Sequence, residues 1–190
     1  MFGPDLEAGR TRLGEPVRLC SPAFESLPKM VEWLNDPEVM RFLNTRWQPT
    51  TFETEVNRLR DLQQCEDQIL WHVEVGQSFV GATWINEIKR PEMTGVFGVM
   101  LGDKGVWRTG VSTAVGNAVA SYAFREEGFS YLYTNILEPN LASKKRALRA
   151  GFKEYGVKPS AGIVDGRICD EWLGALSREE WLATLEDRRR

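Results

Sequence analysis

The chain has 190 residues, 42% of them apolar and 27% charged, with a net charge of −3. That composition supports a packed core and excludes a disordered chain, and the acidic balance excludes the global basic field of a nucleic-acid binder. No apolar run approaches the ~18–20 residues of a membrane span, and Met1 to Arg12 carry Asp5 and Glu7 where a secretory leader would be apolar. The three scattered cysteines, Cys20, Cys65 and Cys169, and the single histidine, His72, point to no metal site and fit a reduced, cytoplasmic setting.

Residues 1–16 mix Gly, Pro and charge and are expected to form a flexible leader, with a single domain over 17–190. Val17 to Cys20 reads as a first strand. Ser21-Pro22 opens a helix on which Leu27, Met30, Val31 and Leu34 recur at helical spacing. Asp36 caps a second helix with Pro37 at its first position. A third runs from Thr51, with Phe52, Val56, Leu59 and Leu62 as its apolar stripe.

From Ile69 the period changes. Trp71, Val73 and Val75 alternate with His72 and Glu74, the pattern of a half-buried strand. Gly76-Gln77-Ser78 turns into a return strand over Phe79 to Ile88, and Thr94 to Leu101 is the next strand. A long helix follows from about Gly110 to Glu127 and ends at Gly128. Tyr131 to Leu137 is a strand, and Asn140 caps a short helix that Gly151 terminates. About Phe152 to Leu176 reads as one or two more strands around an Asp165-Gly166 turn, and Ser177 with Glu180 forms a capping box on the last helix. Antiparallel hairpins followed by strand–helix–strand–helix predict an α+β fold, a mixed sheet with helices on both faces.

The chemistry concentrates in Gly102-Asp-Lys-Gly-Val-Trp-Arg-Thr-Gly-Val-Ser-Thr113, where a strand ends, a glycine turn follows and a helix opens. Unpaired N–H groups and the positive dipole end make such a start an anion site. Gly105 to Ser112 nearly spells a P-loop, but Val111 occupies the lysine position. The dinucleotide Gly-x-Gly-x-x-Gly is absent. The pyrophosphate of coenzyme A and a turn with nothing bound remain as readings.

A second segment, Tyr131 to Phe152, separates these. Trp107-Arg-Thr-Gly110, Glu138-Pro-Asn140-Leu-Ala-Ser143 and Ala150-Gly-Phe152, in that order and spacing, resemble the GNAT superfamily of N-acetyltransferases. Asn35-Asp-Pro-Glu-Val39 and Asp170-Glu171-Trp172 resemble its Rim-type branch, whose members acetylate protein N-termini and small amines. The likeness covers about residues 17 to 182. It implies the GNAT fold, a mostly antiparallel mixed sheet splayed open between its fourth and fifth strands, with acetyl-CoA as co-substrate. On this resemblance Val99, Met100 and Leu101 offer backbone groups to the pantetheine arm. Arg108, Thr109, Gly110, Val111, Ser112 and Thr113 hold the pyrophosphate. Asn140 bonds the arm, and Ser143 sits near the sulfur or phosphate.

Charge fits a small polyanion: residues 139–153 hold Lys144, Lys145, Arg146, Arg149 and Lys153 without a carboxylate, and Lys104 and Arg108 add to them. For Arg146 and Arg149 a solvated helix face is the favoured reading.

The acid–base half is sparser. Ala147 stands where many members carry a tyrosine, Val96 where a glutamate is often seen, and Ala161-Gly162-Ile163 offers no carboxylate. Ser143 is then the hydroxyl expected at the leaving thiolate. Glu87 is the base candidate, with His72, Glu74 and Asp170 behind it, and Trp84, Trp107 and Trp172 are candidate pocket walls. The expected acceptor is a small-molecule amine; a protein N-terminus or an acyl-CoA-binding module without turnover are the alternatives. A homodimer is left open.

Overall fold

The computed structural model describes residues 1–43 and 49–187; the last three residues of the expected 17–190 domain lie outside the described residues. Its strands are β1 (Leu6–Arg10), β2 (Pro16–Cys20), β3 (Ile69–Val75), β4 (Ser78–Lys89), β5 (Thr94–Leu101), β6 (Tyr131–Leu137), β7 (Lys153–Val164) and β8 (Arg167–Ser177). The helices are α1 (Leu27–Leu34), α2 (Pro37–Met40), α3 (Phe52–Gln64), α4 (Val111–Ser121), α5 (Leu141–Arg149) and α6 (Arg178–Asp187). The strands form a single sheet in the order β1-β2-β3-β4-β5-β6-β8-β7. All its pairs are antiparallel except β5 and β6, which α4 connects as a crossover.

Residues 1–16, expected as a flexible leader, instead hold the edge strand β1, paired in a hairpin with β2. Gly3 N–H donates to the Leu70 carbonyl at 2.9 Å, so the segment before β1 is tied to β3 as well. The helix expected from Ser21-Pro22 starts later, as a short 3-10 turn over Phe24–Ser26 leading into α1.

Two apolar layers cover the two faces of the sheet. Ile69, Trp71 and Val73 of β3 and Phe97 of β5 pack under α4 and α6, with Val115, Val119 and Trp181. Leu70, Ala82 and Met100 face the other way, against Leu27, Met30 and Trp33 of α1 and Leu59 and Leu62 of α3. β3 is therefore buried on both faces rather than one. On α3 the expected stripe shifts: Phe52 is half exposed, while Glu55 is fully buried, ion-paired with Arg58 at 2.7 Å and bonded by the Thr50 hydroxyl at 2.8 Å.

The expected opening between the fourth and fifth strands lies between β5 and β6, since β1 adds a strand at the edge. Only Thr94–Val96 of β5 pair with Tyr131–Tyr133. Beyond that point β5 stays with β4 through Leu101, and β6 stays with β8 through Leu137. Residues 97–101 thus have one bonded edge and one open edge. Gly102 N–H donates to the Val80 carbonyl of β4. By antiparallel alternation Met100 and Gly98 also turn their backbone groups to β4, and Phe97, Val99 and Leu101 turn theirs to the opening.

Candidate active site

At the C-terminal end of β5 the chain makes a tight descent into α4. Asp103 accepts from Gly105 N–H at 2.8 Å, the Thr109 hydroxyl donates to the Val106 carbonyl at 2.6 Å, and Trp107 Nε1 donates to the Leu101 carbonyl at 2.9 Å. Arg108 and Gly110 both adopt left-handed backbone, φ 66° and 97°. For Gly110 this is free; for Arg108 it costs on the order of 1 kcal/mol. The result is a helix start with no side-chain cap, at which the N–H groups of Gly110, Val111 and Ser112 donate to no group among the described residues.

These groups edge a cavity of about 660 Å³. Of the residues expected there, Leu101, Arg108, Gly110, Val111, Ser112, Thr113 and Ser143 line it. Four others stand elsewhere. The Thr109 hydroxyl closes its own turn. Met100 is buried in the α1–α3 layer with its backbone groups turned to β4, so it cannot serve the open edge. Val99 lies on that edge outside the cavity, its side chain against the α4 layer. The Asn140 side-chain Oδ1 caps α5, accepting from Ser143 N–H at 3.2 Å.

The charge of the cavity is one-sided. Arg12, Arg108, Lys145, Arg146 and Arg149 line it, with no carboxylate, and none of the five is ion-paired among the described residues. Arg146 is therefore a cavity wall rather than a solvated helix face, whereas Arg149 borders the cavity with its side chain exposed, as expected. Arg146 lies over the Phe97 ring, 5.4 Å from its centroid, and burial lowers its pKa to about 10. Arg12 comes from the turn after β1: its N–H donates to the Thr109 carbonyl at 2.7 Å, and its side chain lies against Gly110. The sequence gives no cue for Arg12, which is remote in the chain. The expected contribution of Lys104 is absent from the cavity, because its ammonium is held by Asp36 at 2.8 Å and Glu38 at 2.6 Å. Lys144 and Lys153 are likewise turned to Glu154 and Glu180.

Glu87 lies apart from this cavity. It occupies a β4 bulge with φ 51° and lines a second cavity, beside the start of β5, with Tyr133 and Tyr155. Glu171 of β8 lies near it and is only 8% exposed; burial raises its carboxyl pKa against the opposing charge of Lys158, and the charge of Glu87 adds to the rise. The other base candidates have structural partners. His72 is buried, with Nδ1 accepting from Ala23 N–H at 3.3 Å and lying 2.9 Å from Ser26 Oγ, and burial lowers its pKa to about 4. Glu74 pairs with Arg18, and Asp170 accepts from Ser160 N–H. Trp84 lies across Gly98, Trp107 bonds Leu101 and Trp172 is buried in the core, so none is a wall of either cavity.

A family model described as an acetyltransferase (GNAT) domain matches residues 17–153. Among solved structures, a Vibrio cholerae spermidine N-acetyltransferase in complex with CoA and spermine superposes with TM-score 0.82 at 16% identity, over 87% of this chain and 98% of that one. Mycobacterium smegmatis RimJ in complex with CoA-disulfide gives 0.80 at 16% identity, over 99% and 94%. The ribosomal L7/L12 α-N-protein acetyltransferase RimL gives 0.76 at 16%, over 92% and 94%. No curated protein matches the chain. The splayed sheet, the uncapped start of α4 and the match across most of the chain agree: this protein belongs to the GNAT family of acetyltransferases.

Proposed function

We propose that the protein transfers the acetyl group of acetyl-CoA to a primary amine of a small molecule, by direct attack in a ternary complex. The observation that carries this reading is the carboxylate-free, five-cation cavity at the start of α4, continuous with the open edge of β5. Coenzyme A fits it, having a phosphorylated end for the cations and a linear amide arm for an unpaired strand edge. Arg12, Arg108, Arg146 and the N–H groups of Gly110, Val111 and Ser112 hold the phosphates. Val99 offers its backbone N–H and carbonyl to the arm and Leu101 its N–H, its carbonyl being held by Trp107, and the Asn140 amide NH2 remains as a donor beside its cap.

Acetyl-CoA supplies an activated thioester. The chain must do three things around it. The acceptor ammonium must lose a proton before its nitrogen can form the new bond to the carbonyl carbon, and Glu87 with Glu171 takes that role. A Val99 N–H on the open edge suits the charge that develops on the carbonyl oxygen. As the carbon–sulfur bond breaks, the thiolate takes a proton, and the Ser143 hydroxyl donates to it or holds the water that does. Such a bond strengthens as charge develops, so it acts on the transition state more than on binding.

Steady-state kinetics with a panel of small amines and N-terminal peptides, read as release of free thiol, tests this. Thiol release should require an amine, favour small amines over peptides, and accumulate no acetyl-protein. Ser143→Ala should lower kcat by roughly ten- to a hundredfold, about 1.4–2.7 kcal/mol, with acetyl-CoA affinity nearly unchanged. Peptide preference favours the protein N-terminus as acceptor, and a trapped acetyl-enzyme that turns over at the catalytic rate overturns direct transfer.

A further inference from the structure

The second cavity bears on the acceptor, and the inference from it rests on the acetyl-transfer reading. It has a volume of about 790 Å³ and lies on the sheet face that α1–α3 cover further along. The faces follow from strand alternation: Leu132 and Ile136 of β6 point into the α4–α6 layer, so Tyr131, Tyr133 and Asn135 point the other way. Val96, opposite Tyr133 in register, also lines the cavity and is the last β5 residue paired with β6. The cavity therefore begins where the open edge of β5 begins. A molecule extended along that edge from the cations at α4 has its far end here.

The walls have a distinct chemistry. Tyr131 and Tyr133 stand with ring planes 9° apart and centroids 6.0 Å apart, and Tyr155 meets Tyr133 edge-on at 5.4 Å. Their hydroxyls have no hydrogen-bond partner among the described residues. Glu87 and Glu92 line the cavity against a single cation, Lys89, and neither glutamate is ion-paired among the described residues. Glu171, outside the lining and opposite Lys158 in register, adds a third carboxylate to the surroundings; burial, Tyr133, Glu171 and Glu87 together raise the Tyr155 pKa, which places these groups in one field. Phenol faces and carboxylates both attract a cation, and both repel a carboxylate ligand.

We propose that this cavity is the acceptor site, and that it selects an amine with an apolar or aromatic body whose only charge is positive. Tyr133 and Tyr155 hold the body and the ammonium, and the glutamates exclude acceptors that carry a carboxylate. Zwitterionic amino acids are then poor substrates although they carry the same amine.

2-Phenylethylamine and phenylalanine differ by one carboxylate and make the probe pair. Their binding to the full chain is measured by calorimetry, with acetyl-CoA titrated separately into the same samples. 2-Phenylethylamine should bind at least tenfold tighter than phenylalanine. Tyr133→Ala should weaken it at least tenfold, Tyr133→Phe should restore it, and acetyl-CoA affinity should be unchanged in both. Tyr155→Ala, at an exposed edge-strand position, should act in the same direction without a folding cost. Equal binding of the two compounds, no binding of either, or full amine affinity in folded Tyr133→Ala and Tyr155→Ala overturns the proposal. Loss of acetyl-CoA binding by the wild-type chain with amine selectivity intact overturns the cofactor reading alone.

Discussion

Burial of His72 couples stability to pH. Its pKa falls from 6.5 to about 4 because the imidazolium would be desolvated between β3 and α1. Between those values the unfolded chain binds a proton that the folded chain excludes. Stability is therefore lost as pH falls through that window, by about 3 kcal/mol. His72→Asn keeps an acceptor for Ala23 N–H, so its unfolding free energy should fall less between pH 7 and pH 4 than that of the wild type. Urea denaturation at both pH values checks it, and equal slopes for the two proteins would remove His72 as the cause. The alternation around His72 reads as one wet face in the sequence, since polarity gives no sign that a second layer of helices covers that face. Arg146 was illegible for the converse reason: an arginine on a short polar helix looks solvated until Phe97, 49 positions earlier, is known to lie under it.

At the scale of elements, what is local was legible. Asp36, Asn140 and Ser177 were readable as caps because each bonds an N–H two or three residues on, within the window a sequence displays. The start of α4 was readable for the same reason, from a strand end, Gly110 and two hydroxyls. β1 was not, because its inward-facing side chains are only Leu6 and Ala8, too few to stand out as a period, and its pairing is interrupted by a bulge between Glu7 and Gly9. That strand matters to the site, since its turn carries Arg12 to the Thr109 carbonyl. Arg12→Ala should weaken acetyl-CoA about tenfold, about 1.4 kcal/mol, and flatten the salt dependence of binding, with the melting temperature unchanged. Calorimetry at two salt concentrations checks this; unaltered affinity would leave β1 as sheet edge only.

Across the whole molecule, function follows from one interruption of the sheet. β5 and β6 share three register pairs and then part, which exposes a strand edge between a cationic end and an aromatic, acidic end. The sequence could imply the splay through its resemblance, but not the assembly around it. Five cations reach one cavity from three segments, and three tyrosines meet from β6 and β7, contacts set by sheet order rather than by spacing. Ser112→Asp tests the central claim most directly. Ser112 is the second residue of α4 and lines the cavity, so an aspartate there suits the helix dipole while placing negative charge at the proposed phosphate site. Titration calorimetry of acetyl-CoA should show binding to the wild type and at least a hundredfold loss in the variant, which should melt at or above the wild-type temperature. Equal affinity in the folded variant would contradict a cofactor site at the start of α4.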